Sequence, residues 1–159
     1  MGLRPIVIDA GEQKERLAYR IGAEAFVDFK KVDNVAAEVI KAADGVGAHG
    51  VIVTAWQTYK DAISYIGSRT GGVVMSVGLP PKDKGVTLGA PPELLAFLKL
   101  RLTGSVVGTM QDTAACLDYA RRGLLQSICE VRGMSQFAES VQQLKRGEVA
   151  GRIVCQPHG

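Results

Sequence analysis

Short apolar runs alternate with stretches whose apolar residues recur at helical spacing. Ile6-Val7-Ile8, closed by Asp9, reads as a buried strand. Residues 11–21 follow as a helix, with Leu17, Ala18 and Ile21 on one face. Ala25 to Asp28 reads as a second strand, and Asp33 can cap a helix carrying Val35, Val39 and Ile40. Residues 50–54 form a third strand. The pattern then predicts one helix over 57–68, with Tyr59, Ala62, Ile63 and Ile66 at helical spacing. Gly71-Gly72 turns the chain into a fourth strand over 73–77, and Pro91-Pro92-Glu93 opens a helix carrying Leu94, Leu95, Phe97 and Leu98. A fifth strand is predicted over 102–107, a helix near 113–122 and a short strand near 128–131. A helix with the stripe Phe137, Val141, Leu144 and a closing strand over 152–155 complete the chain.

Strands that alternate with helices in this way predict an α/β fold: a three-layer parallel sheet with helices on both faces. At 159 residues the expectation is a single domain, 1–159, large enough for a real core. The 19 basic and 16 acidic residues give a net charge of +3 and are scattered, so a dedicated nucleic-acid surface is not expected. No apolar run reaches the length of a membrane span and no secretory leader is visible, which points to a cytoplasmic protein. The three cysteines, Cys116, Cys129 and Cys155, read as reduced, buried packing residues.

Several motifs in order carry a resemblance. They are Val7-Ile8-Asp9 with Gly11-Glu12-Gln13-Lys14, Gly22-Ala23-Glu24 with Phe26-Val27-Asp28-Phe29, and Gly47-Ala48-His49-Gly50-Val51. Val77-Gly78-Leu79-Pro80, Gly104-Ser105-Val106-Val107-Gly108 and Lys145-Arg146-Gly147-Glu148-Val149-Ala150-Gly151-Arg152 follow. Together they resemble the cofactor domain of zinc-dependent medium-chain alcohol dehydrogenases, above all the fungal ones. The resemblance implies that Asp9 binds the adenosine ribose of NAD and that Lys14 contacts the same ribose. It implies that Gly78, with Val77 and Leu79, lies along the nicotinamide and that Arg152 approaches the pyrophosphate. Thr54 to Trp56 and Val107-Gly108 would border the same path.

The chain departs from that family in two ways. An acid that binds ribose normally stands about 20 residues after a glycine fingerprint, and here it stands at position 9. The expectation is a truncated Rossmann domain without its glycine turn. The zinc-bearing domain is also missing, and Cys116, Cys129, Cys155, His49 and His158 show no ligand spacing, so no metal is expected. In the Rossmann order 3-2-1-4-5-6 the missing strand is the central one. A foreign strand can fill the gap, the fragment can fail to fold, or the flanking strands can pair directly. Direct pairing satisfies both backbones and is favoured; it gives the flavodoxin-like order 2-1-3-4-5. The lost helix would uncover an apolar face suited to homodimerisation.

Three functions remain open. The leading expectation is a repurposed enzyme carrying out cofactor-independent, non-redox proton transfer on a small molecule. Isomerisation, dehydration or cyclisation in secondary metabolism would use Asp9, Trp56 and Tyr59 at the relocated crevice. The alternative is an NAD-dependent, alcohol dehydrogenase-like oxidoreductase, acting alone or completed by a partner chain, with Asp9, Lys14, Gly78 and Arg152 on the cofactor. The third is a non-catalytic binding or dimerisation module. His49 precedes a strand and is expected at the far end of the sheet in a structural role.

Overall fold

The computed structural model describes residues 2–157. Its elements run β1 (Ile6–Asp9), α1 (Glu12–Arg20), β2 (Ala25–Asp28), α2 (Val35–Ala42), β3 (Gly50–Val53), β4 (Val73–Ser76), α3 (Pro92–Leu98), β5 (Arg101–Gly104), α4 (Met110–Arg121), β6 (Cys129–Gly133), α5 (Phe137–Lys145) and β7 (Arg152–Gln156). Every strand pairing is parallel. Parallel neighbours need a crossover between them, which is why strands and helices alternate along the chain. The parallel α/β class expected from that alternation is the one formed. No helix is long and apolar enough to cross a membrane among the described residues.

The chain divides into two compact units. One holds Met1–Gly11 and Ala18–Val107; the other holds Glu12–Leu17 and Gly108–Gly159. The first contains β1 to β5, and these do not form one sheet. β1 pairs with β2, while β3, β4 and β5 form a separate sheet in that order. The expected direct pairing of β1 with β3, and with it the continuous order 2-1-3-4-5, is therefore not formed. Packing explains why. Val39 of α2 is buried with Val27 and Tyr65, and Ile6, Ile8 and Val51 pack against them. One apolar cluster thus joins both sheets through side chains. Pairing β1 with β3 would reset that packing, and close-packed interiors resist such shifts.

The second cluster of this unit lies on β3 and β4. Val53, Val74, Tyr59, Ala62 and Ile66 are buried together, with Val51, Leu100 and Leu102 against them. Two glycines allow the chain to close over it. A Cβ at Gly47 would lie 2.0 Å from the Ile66 carbonyl oxygen, and one at Gly67 would lie 2.4 Å from that of Val46. Both also have positive φ, 122° and 60°, which L side chains avoid.

Local boundaries depart from the sequence pattern in three places. Residues 57–68 do not form an α-helix; 3-10 turns at Trp56–Thr58 and Ser64–Ile66 take their place. Thr58 and Ser64 donate their hydroxyls to the carbonyls of Ala55 and Asp61, three residues back. Such bonds compete with the α-helical ladder. Asn34, not Asp33, caps α2, accepting from the Ala37 amide. Helix α4 starts before residue 113 because Thr109 and Asp112 form a reciprocal capping box.

In the second unit β6 and β7 pair in parallel, with α5 between them in sequence. Arg132 on β6 reaches Glu130, Ser140 and Gln143, and the buried Ser140 hydroxyl donates to the Gln136 carbonyl. Those bonds fasten α5 to the strand that precedes it.

The burial contrast gives a direct stability test. Ile66 is fully buried, whereas Ile52 is 69% exposed. Ile66→Ala is expected to lower unfolding free energy by about 2–5 kcal/mol, and Ile52→Ala by less than about 0.5 kcal/mol, in denaturant titrations.

Candidate functional site

Parallel strands bring their C-terminal ends to one edge of a sheet, where ligands of open α/β sheets bind. In the first sheet that edge carries two acids side by side, since Asp9 is in register with Asp28. In the second, Val53, Ser76 and Gly104 are in register. Thr54 to Trp56 and Val77-Gly78 follow them directly.

Asp9 is half-buried and its Oδ1 accepts from the Ala10 amide at 2.8 Å. Its main chain is fixed from the neighbouring strand, because the Phe29 amide donates to its carbonyl at 3.2 Å. Asp28 then holds the turn that follows. Its carboxylate accepts from the Lys30 amide at 2.9 Å and from the Gly11 amide at 3.2 Å, and Lys31 Nζ lies 3.7 Å away. The Lys30 amide, then the Gly11 amide, hold this carboxyl below the usual carboxylate range. Asp28 is only 9% exposed and is the edge residue that the sequence reading did not single out. A signal was present: each of the first two strands ends in an acid.

Tyr59 does not face an open crevice. It is 4% exposed, and its hydroxyl donates to the Gly78 carbonyl at 2.7 Å. A phenol has one hydrogen, so the Ser76 hydroxyl, 2.6 Å away, is the donor to Tyr59. The expected proton donor is instead a clasp that ties the 3-10 turn to the end of β4. The reason is that the turn carries the ring inward onto Val53 and Val74. Trp56 packs against the same cluster, half-buried. Gly78 sits on the other side of the clasp. A Cβ there would lie 2.2 Å from the Thr54 carbonyl oxygen, so the ends of β3 and β4 meet only because this residue has no side chain.

The six expected site residues divide between the two units. Asp9, Trp56, Tyr59 and Gly78 belong to the first, and Lys14 and Arg152 to the second. His49 lies at the N-terminal end of β3, as expected, where its Nε2 accepts from Arg69 Nη1 at 2.8 Å. The cysteines are not the buried packing residues expected. Cys116 and Cys129 are exposed, and α4, which carries Cys116, has no buried residue. His158 lies outside the described residues. Among the described residues no three His, Cys, Asp or Glu side chains converge as a metal site.

Two measurements check this edge. Tyr59→Phe is expected to cost about 1–3 kcal/mol in denaturant unfolding, because it strips the half-buried Gly78 carbonyl of its donor and leaves the part-buried Ser76–Tyr59 contact without its acceptor. For Asp28, a folded carboxyl that titrates below its unfolded value favours the fold when ionised. That contribution is complete above about pH 4 and is lost as pH falls further. Asp28→Asn should therefore flatten the acid limb of a thermal-midpoint-against-pH profile; an unchanged limb would remove Asp28 from this role.

Comparison with known proteins places these features in a family. Residues 1–122 match the family model described as zinc-binding dehydrogenase. Alcohol dehydrogenase 1 of Neurospora crassa is 35% identical over 157 residues, covering 97% of this chain and 43% of its own length. Alcohol dehydrogenase 1 of Emericella nidulans is 32% identical, covering 98% and 44%. The crystal structure of the alcohol dehydrogenase from Aeropyrum pernix superposes with a TM-score of 0.82 at 25% identity, over 96% of this chain and 42% of that one. The chain thus spans less than half the length of the relatives it matches. These likenesses overturn the expectation of cofactor-independent, non-redox chemistry: the similar proteins are dehydrogenases along nearly all of this sequence. The match runs over well more than half of the sequence, and the chain belongs to the zinc-binding dehydrogenase family.

Proposed function

We propose that this chain is the back part of the cofactor-binding region of an NAD-dependent, alcohol dehydrogenase-like oxidoreductase. The observation that carries the reading is Asp9, an acceptor held at the C-terminal edge of β1 by Ala10 and by the turn that Asp28 fastens. A fixed carboxylate at that place suits the two hydroxyls of an adenosine ribose. It disfavours a cofactor with a 2′-phosphate, since two anions would then face each other.

The chain's own residues bind and orient. Asp9 accepts from the ribose. Gly78, locked by Tyr59, offers a flat backbone surface at the end of β4. A bound nicotinamide supplies the hydride-accepting ring. Among the described residues no group of three His, Cys, Asp or Glu side chains is placed to hold zinc.

Calorimetric titration of the chain with NAD and with NADP tests the reading. Saturating heat for NAD in about the millimolar range is expected, with NADP binding at least about tenfold more weakly. Asp9→Asn is expected to weaken NAD by about tenfold and to narrow the gap to NADP. Absence of both heat and thermal shift at millimolar NAD overturns the reading.

A further inference from the structure

At their C-terminal ends β1 and β2 are joined by a side chain as well as by their ladder. The Phe29 amide donates to the Asp9 carbonyl at 3.2 Å. In the other direction, the Gly11 amide donates to Asp28 Oδ2 at 3.2 Å, so the turn after β1 is tied to the last residue of β2. Asp28 Oδ1 accepts from the Lys30 amide, two residues on, at 2.9 Å. The carboxylate therefore makes one local bond and one bond across the strands. Asp9, Gly11, Asp28 and Lys30 all lie in the same compact unit.

Packing does not fix the turn that Asp28 reaches. Gly11 is exposed, has φ 103°, and a Cβ built on it meets nothing within 4 Å. Glycine moves readily between positive and negative φ, so its conformation depends on what its amide is bonded to. Asp9 depends on the same turn, because its Oδ1 accepts from the Ala10 amide at 2.8 Å. Ala10 stands between Asp9 and Gly11, and rotation of that short segment turns the amide to which the Asp9 carboxylate is bonded. A binding carboxylate has to be held within about 0.5 Å of its productive place by the residues around it.

We infer that Asp28 is a positioning residue for nucleotide binding: through the Gly11 amide it sets the orientation in which Asp9 meets the ribose hydroxyls, and so sets the affinity for NAD. The inference rests on the reading of Asp9 as the ribose acceptor and adds to it a residue that itself touches no cofactor. Asp28 is 9% exposed and both its oxygens are engaged by backbone amides, which suits a support rather than a ligand contact. The Lys30 amide, then the Gly11 amide, favour its ionised form, which keeps both oxygens as acceptors.

A carboxylate can make both bonds, and two replacements separate them. Asparagine has one acceptor oxygen, and the bond to the amide two residues on is a locally closed Asx turn. Its oxygen stays with Lys30, and its NH2 group then meets the Gly11 amide donor to donor. Serine closes the same local turn through its hydroxyl and is too short to reach Gly11. Asp28→Asn and Asp28→Ser thus keep the turn after β2 and release the turn after β1.

The test is a double-mutant cycle on the full chain at neutral pH, with NAD titrated and backbone amide NMR shifts followed. Asp28→Asn is expected to weaken NAD at least about threefold where Asp9 is present, and to have no further effect in an Asp9→Asn background, where the residue it positions is gone. A merely structural role gives the same factor in both backgrounds. Without cofactor, the Gly11 amide of Asp28→Asn should exchange with solvent at least about tenfold faster, with Lys30 unchanged. Asp28→Ser is expected to give the same two results, and serves in place of the asparagine variant if that one fails to fold. Unchanged NAD affinity, an equal loss in both backgrounds, or an unchanged Gly11 amide each overturns the inference and leaves the NAD reading standing. An unsubstituted chain that does not bind NAD overturns that reading, and this inference with it.

Discussion

The interaction on which the first unit depends is the apolar contact around Val39. Val27, Val39 and Tyr65 are buried together, and Ile6, Ile8 and Val51 pack on them from two different sheets. Backbone hydrogen bonds, the usual link between neighbouring strands, are absent between β1 and β3. The hydrophobic effect has no direction and scales with area removed from water. It can therefore hold two half-sheets in one unit while leaving their facing edges unpaired. Val51 packs against both buried clusters, so the same residue transmits that constraint to Tyr59, Ile66 and Val74.

The functional edge is built on this base by short polar devices. Asp28 accepts from the Gly11 amide in the turn after β1 and from the Lys30 amide in the turn after β2, and Ala10 of the first turn holds Asp9. Tyr59 fixes the end of β4 through Ser76 and the Gly78 carbonyl, and Gly78 in turn rests on Thr54. In both cases a buried or nearly buried polar group is fully engaged, which is what low-dielectric surroundings require. The two clasps hold the strand ends rather than the chemistry. They explain why an aromatic at a crevice position in the sequence became a core residue in the fold.

Much of the fold was legible in the chain. The runs Ile6-Val7-Ile8, Val51-Ile52-Val53 and Val73-Val74 became parallel strands, the class whose strands are continuously apolar rather than alternating. The motifs that suggested a dehydrogenase cofactor domain also held, since they are tied to the turns and strand ends of that fold. Helix 57–68 was misread because its apolar period is helical, while Thr58 and Ser64 redirect their hydroxyls to nearby carbonyls. The cysteines were misread because an apolar residue type says nothing of whether a neighbour exists to bury it; no residue of α4, which carries Cys116, is buried.

What the sequence determined by itself is therefore local and periodic. It set which stretches become strands, that they alternate with helices and must lie parallel, and that an acid closes the first strand and a glycine follows the fourth. What only the tertiary structure decided is which strands meet. The sequence argument favoured closing the gap between β1 and β3, because hydrogen bonds reward it. The folded chain keeps them unpaired, while the shared cluster around Val39 packs on both strands. Pairing partners are distant in sequence and are chosen by the packing of side chains from several elements at once, and no local pattern records that choice.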